Sequence, residues 1–341
     1  KISLAAFGDA EAPLLKLLEL SEQLAKEGRD PSAEQAGISL AHTKLGDVYE
    51  RMERNVEAVQ HLRLAIGIDR RLSQAEPNNL PRARKLYISY ILMSRALRGR
   101  RGDQLGSPAE LAELINEAAE LADRMSTADP TNNLALTDVV NARTLQGDWL
   151  RQQNDANTAL ISYKKAVTAA EKLDGANVSY GNLDAIIQSH HRLSTALVLT
   201  GQPDAALESL SKAEAALARA EKINSGTMRG ALRRADIART RGEVYASQAN
   251  WPNSISNYKL AISIYETQRS HDPKNETLLN EQPDLYSRLA DSYAAAGQVV
   301  DAVKALQTAL TLDREIESRS EEHTSELQSL AYLVCRLLLE K

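Results

Sequence analysis

The 341-residue chain has one cysteine, one phenylalanine and only 4% aromatic residues. Cys335 alone makes no internal disulfide and leaves no cysteine set for a zinc site. With 41 basic against 46 acidic residues, for a net charge of -5, the chain has no excess of positive charge on which to build a nucleic-acid footprint. No run of about 18 apolar residues occurs, so nothing is expected to span a membrane. The longest apolar stretch, Leu330 to Leu339, is too short. No signal peptide precedes Lys1 and no initiator Met is present, so the chain is expected to be part of a longer protein.

What the chain does have is Ala and Leu, which together make up nearly three residues in ten. They are the strongest apolar helix formers, which disfavours an all-β or parallel α/β fold. They recur at fixed offsets. A small residue is followed by an aromatic or Leu three later, then by Ala and large apolar residues: Gly46, Tyr49, Ala58, Leu62, Ala65. The series returns from Gly147 to Ala166, Ser194 to Ala213, Gly242 to Ala261 and Ala290 to Ala309, each spanning 19 positions (65-46, 166-147, 213-194, 261-242, 309-290).

A second landmark fixes the register. Glu76-Pro77-Asn78-Asn79, Asp129-Pro130-Thr131-Asn132 and Asp272-Pro273-Lys274-Asn275 each place Pro 12 residues after an Ala of the series (77-65, 130-118, 273-261). Ala118 exposes a further copy that starts at Ser94 and Leu97, with five extra residues in the Gly-rich turn Gly99 to Gly106. The starts 46, 94, 147, 194, 242 and 290 are 48, 53, 47, 48 and 48 apart. Three segments follow: an N-terminal helix and linker over 1-34, six repeats over 35-318, and a tail over 319-341. Three- and four-residue apolar spacing makes each repeat two helices, with Leu14 to Ala25 an earlier helix packed on the first. Pro203 and Pro252 open second helices, where a residue without an amide donor is tolerated, and the acidic-Pro-x-Asn segments separate one repeat from the next. An amphipathic helix pair cannot bury its apolar stripe alone, so the expected architecture is an all-α solenoid with a continuous narrow core.

At these residues the chain resembles the tetratricopeptide repeat family, clearest in Leu45-Gly46-Asp47-Val48-Tyr49 with Ala58, Leu62 and Ala65, and in Ala290-Asp291-Ser292-Tyr293 with Ala302 and Ala309. Small residues such as Gly46 would let the second helix approach the first closely. The period exceeds the family's usual length of about 34, and Arg241 stands where the pattern has an apolar residue. The resemblance implies a right-handed superhelix of helix pairs. The long repeats, the Leu-Gly-Asp-Val opening, the Gly-rich insertion and the Asp-Pro-x-Asn junctions also resemble the C-terminal halves of bacterial serine/threonine protein kinases. That implies an upstream kinase domain and a chain that is cytoplasmic or tethered to a membrane upstream. The kinase loops themselves are missing here, and Phe7 is the only phenylalanine. Arg319 to Ser329 resembles a translated sequencing-library adapter, and the apolar Leu330 to Leu339 lacks the polar outer face of a capping helix. The tail is therefore expected to be non-native.

Candidate sites are few. His190 and His191 are adjacent on a helix and point about 100° apart, so they read as structural rather than as a metal pair. Arg95, Arg98, Arg100 and Arg101 cluster at the insertion turn, either solvated or as an anion patch. Arg101-Gly102-Asp103 is a short-motif coincidence. No ordered Ser-His-Asp or Cys-His set appears, and no cofactor or metal is expected. One feature keeps step with the repeats. Asp47, Asp148, Glu243 and Asp291 follow the small residues, with Arg95 and Thr195 in the other two copies. The resemblance implies that this position faces the concave groove where a protein or peptide partner lies. Its acidic row departs from the Asn and basic residues that grip a C-terminal carboxylate, and suits a ligand with basic or hydrogen-bond-donor groups, unless these are solvated carboxylates copied by duplication. The expected role is a non-catalytic interaction scaffold, self-association included, attached to a kinase. The alternative is a regulatory arm of a transcription factor or nucleotide cyclase. An enzyme using the superhelix interior has no constellation behind it.

Overall fold

The computed structural model describes residues 4–99, 105–175, 178–273 and 275–339, with side chains between Asp9 and Arg319. Among these residues fourteen helices and no strand are found. They are α1 (Leu4–Glu27), α2 (Pro31–Arg51), α3 (Asn55–Ala75), α4 (Leu80–Arg98), α5 (Pro108–Ala128), α6 (Asn133–Gln152) and α7 (Ala156–Lys172). They continue as α8 (Tyr180–Leu199), α9 (Pro203–Ile223), α10 (Met228–Ser247), α11 (Trp251–His271), α12 (Glu276–Asn280), α13 (Gln282–Ala295) and α14 (Val299–Leu339).

Helix starts follow the side chains that can cap them. The first turn of a helix has amides without partners, and Asp30, Asn79, Ser107, Asp155, Ser179 and Thr227 each accept one, while Asn132 accepts two. The acidic-Pro-x-Asn segments are one turn used three times. The amide of Asn79, Asn132 and Asn275 donates to the carbonyl of Glu76, Asp129 and Asp272, at 3.0, 3.2 and 3.2 Å. Each Asn side-chain amide also reaches that acid's carboxylate, at 2.7, 3.2 and 3.2 Å. Pro sits second in each turn, where its fixed φ suits the geometry.

The turn inside a repeat is equally regular. The residue seven after the small one has positive φ: Glu53 (61°), Asn154 (62°), Gly201 (71°), Ala249 (56°) and Gly297 (76°). The next amide bonds back to the residue three after the small one, as Arg54 to Tyr49 at 2.9 Å and Asn250 to Tyr245 at 2.8 Å. This is the left-handed closure that satisfies the last carbonyls of a helix. In the repeat that starts at Ser94, α4 ends at Arg98 and α5 opens at Pro108, so the surplus positions fall between these two helices. In the last repeat the first helix is interrupted. Pro283 has no amide for the ladder, and the Gln282 side chain donates to the Leu278 carbonyl at 2.8 Å.

The chain forms two compact units, Lys1–Leu173 and Asp174–Lys341. In the first, α1 to α7 pack each on the next, and α2 also touches α4. In the second, α8 to α11 and α13 to α14 do the same, with α8 touching α10 and α11 touching α13. This is an all-α solenoid of tetratricopeptide-like helix pairs. The repeated Ala positions are its seam: Ala58, Ala65, Ala118, Ala159, Ala166, Ala206, Ala213 and Ala261 are fully buried. A Cβ on Gly46 would lie 2.5 Å from Leu62, and one on Gly147 2.5 Å from Tyr163, inside any real contact distance. Close approach is therefore what the small residue secures in these pairs, as its spacing implied.

Candidate partner-binding face

Successive first helices are tied to each other by charge. In the first unit, Arg95 of α4 donates to Glu50 of α2 at 2.6 Å, and Glu50 is almost fully buried. Arg84 of α4 grips Asp138 of α6 with two hydrogen bonds of 2.6 and 3.2 Å. Tyr87 adds a hydroxyl donated to the Asp138 carbonyl at 3.1 Å. Burial raises the Asp138 carboxyl above its usual range, and Arg84 opposes that shift. In the second unit, Arg233 of α10 donates to Asp184 of α8 at 2.8 Å, and Arg288 of α13 pairs with Glu243 of α10 at 3.1 Å. Arg239 reaches Glu281 at 3.1 Å. Ion pairs of this kind, partly withdrawn from water, are costly to break on one side only.

The acidic row lies on first helices of both units. Asp47 is half-buried and accepts from Arg51 at 3.0 Å. Asp148 is half-buried and accepts the Tyr163 hydroxyl at 2.7 Å. Glu243 meets Arg288, and Asp291 is exposed. Asp47 and Asp148 belong to one unit, Glu243 and Asp291 to the other. Of the basic partners, Arg95 stands at the position after its small residue, whereas Arg84, Arg233 and Arg288 lie elsewhere in the register. A signal was there: Arg84 and Asp184 lie ten before their small residues, Asp138 and Arg233 nine before (94-84, 194-184, 147-138, 242-233), so opposite charges occupy neighbouring positions of the register on successive first helices within each unit.

The remaining candidates resolve separately. His190 hydrogen-bonds the Ser209 hydroxyl at 3.1 Å and His191 that of Thr240 at 2.9 Å, both buried. Burial, with Arg192, Arg239 and Arg233 nearby, lowers His191 to about 3, so it is neutral. In the arginine cluster Arg95 is committed to Glu50, while Arg100 and Arg101, with Gly102 and Asp103, lie outside the described residues. Among the described residues no group of three metal-ligating side chains occurs, and no helix is long and apolar enough to cross a membrane.

No protein-family model and no curated protein matches the chain. Solved structures do. The crystal structure of BtubC (BKLC) from P. vanneervenii is similar at 15% identity and a TM-score of 0.54, over 76% of this chain and 91% of that one. The apo form of RapI is similar at 12% identity and a TM-score of 0.52, over 88% and 90%. A putative kinesin light chain from Podosopora anserina with nearly identical TPR-like repeats aligns at 15% identity and a TM-score of 0.47, over 72% and 99%. At such identities the likeness of the first two is one of fold, and it agrees with the stacked helix pairs described above.

Proposed function

We propose that the chain is a non-catalytic protein-interaction scaffold whose first helices receive a segment of a partner protein. The supporting observation is the recurrence, within each unit, of ion pairs between successive first helices. Arg95–Glu50 and Arg84–Asp138 hold them in the first unit, Arg233–Asp184 and Arg288–Glu243 in the second. Side chains held in advance lose less freedom on binding. Asp47, Asp148, Glu243 and Asp291 are the acidic contact positions in this reading. Because three of them already meet donors of the chain itself, the ligand that fits is a polar segment of both charges rather than a purely basic one. Peptides selected on the full chain from a phage-displayed library should lose about tenfold in affinity when Asp47, Asp148 and Asp291 are all replaced by Ala. Unchanged affinity removes this face from consideration.

The sequence resemblance to bacterial kinase C-terminal halves supports a signalling parent, ahead of a transcription factor or cyclase. The coding sequence upstream of Lys1 decides between them, since kinase loops there favour the first reading and a helix-turn-helix or cyclase domain the second. The adapter-like residues 319-341 support reading the tail as foreign to the gene, which resequencing of the source locus tests. A native codon run encoding the same residues would remove that reading.

A further inference from the structure

The second helices α5 and α7 border a groove whose floor is on α6, all within the first unit. A cavity of about 400 Å³ lies there, within the roughly 300–1,000 Å³ that ligand sites occupy. Leu136 and Val139 of α6 and Ala169 of α7 are buried and apolar at its base. Ile161 of α7 lines it too and is 57% exposed. An apolar residue at this position is peculiar to this repeat. Five residues before the last Ala of the series (166-161), the other copies carry Gln60, Glu113, Glu208, Ser256 and Lys304 (65-60, 118-113, 213-208, 261-256, 309-304). Five polar residues at one register show that the helix pair itself does not call for an isoleucine there.

Charge singles out the same groove. Lys164, Lys165 and Lys172 line it, and Asp123 is the one carboxylate among the described residues that do. Asp123 is committed, for it accepts two hydrogen bonds from Arg143 of α6 and meets Lys165 at 3.4 Å. Lys164 and Lys172 form no ion pair with any described residue. The corresponding groove between α3 and α5 is balanced instead, with Arg70 and Arg124 against Glu117 and Glu120, and Arg70 already donates to Glu117 at 2.8 Å. The hydroxyls beside the lysines are engaged as well. Ser126 donates to the Asp123 carbonyl at 3.1 Å, and Thr168 to that of Lys164 at 3.0 Å. The lining therefore offers ammonium groups and apolar surface but little for the backbone of an extended chain, whereas a helix satisfies its own backbone.

We propose that this groove is a docking site for an acidic amphipathic helix of a partner protein, which lays an apolar stripe over Ile161 and the floor and sets carboxylates against Lys164 and Lys172. Helices of the chain flank the groove on both sides, so its opening belongs to the stack of repeats itself. The segments that follow α7 are engaged elsewhere, since α8 and α9 pack on each other and on α10. The site is separate from the first-helix face proposed above. Its lysines select the sign of charge, and its isoleucine supplies apolar contact that no other repeat offers at that position.

The probe is a fluorescein-labelled synthetic helix with a leucine stripe flanked by glutamates, titrated into the full chain and read by anisotropy. A counterpart with lysine in place of every glutamate is the control. Saturable binding of the acidic peptide is expected, weakening by about tenfold or more in Ile161→Glu, which removes the apolar anchor. Because Glu113 and Glu208 occupy that position in other repeats, the variant should keep the native circular dichroism. Lys164→Glu/Lys172→Glu, at two exposed positions, should weaken the same binding by about tenfold or more. The proposal is overturned by any of four results: no saturable binding to the native chain, unchanged affinity in either variant, a lysine peptide that binds as tightly as the acidic one, or a native chain that is dimeric by light scattering and monomeric in Ile161→Glu. The last result would make a second copy the occupant.

Discussion

Single residues carry strain and charge that the repeat alone does not require. Ala249 holds φ at 56°, in the left-handed region, at a position where Gly201 and Gly297 stand in other repeats. A Cβ there costs about 1 kcal/mol or more, so Ala249→Gly should raise stability by about 1 kcal/mol in urea unfolding, despite the freedom glycine adds to the unfolded chain. A loss of stability would mean that the turn does not need the left-handed conformation. His191 is a second case. It stays neutral in the folded chain down to about 3, against 6.5 in an unperturbed histidine. Between those values the unfolded state binds the extra proton, so stability falls as pH drops, by about 1.4 kcal/mol per unit from this residue once pH is well below 6.5. Above 6.5 the residue contributes no pH dependence. His191→Gln keeps a hydrogen-bonding group for Thr240 and should show a decline of stability between pH 6 and 4 that is shallower than the native one by about 1 kcal/mol per unit. Identical slopes for the two proteins would place His191 in contact with water.

Between elements, the glycines separate by what surrounds them. Gly67 lies in the interior of α3 with nothing within 4 Å of an added Cβ, so Gly67→Ala should stabilise by about 1 kcal/mol through helix propensity alone. Gly147 faces the fully buried Tyr163 ring, and Gly147→Ala should destabilise by about 1–3 kcal/mol even after that propensity gain, because the ring has nowhere to go. Thermal unfolding of the two variants checks the pair, and stabilisation in both would refute the close-packing role. That contrast was half legible in the sequence. The fixed offset from Gly46 to Leu62 and from Gly147 to Tyr163 marks the tight contact, because a repeat conserves its own closest approach. The acidic-Pro-x-Asn turns were legible too, since Pro and Asn have strong local preferences. The left-handed residues were not: Glu53, Asn154 and Ala249 share a position but no chemistry, and the turn is imposed by the helices on either side. The ion pairs between first helices were only partly legible, as charges recurring nine or ten before the small residue. Arg95 and Glu50 are 45 residues apart, and only packing brings them within 2.6 Å.

Across the whole molecule, stability is distributed over neighbours. Each helix packs on the next in sequence, within two compact units, so no single centre holds the fold and a thin core needs few aromatic side chains. The low aromatic content follows from that arrangement, with Tyr163 the largest side chain wholly buried. Such a chain offers surface out of proportion to its core, and the charged first-helix faces are where a partner would find ordered side chains. Amide hydrogen exchange of the full chain, measured with and without the peptides selected on it, reports which helices are covered. Docking on the first helices predicts slowed exchange in α2, α4 and α6, or in α8, α10 and α13, with α3, α5, α9 and α11 unchanged. Slowing confined to those second helices, or none at saturating peptide, would contradict it.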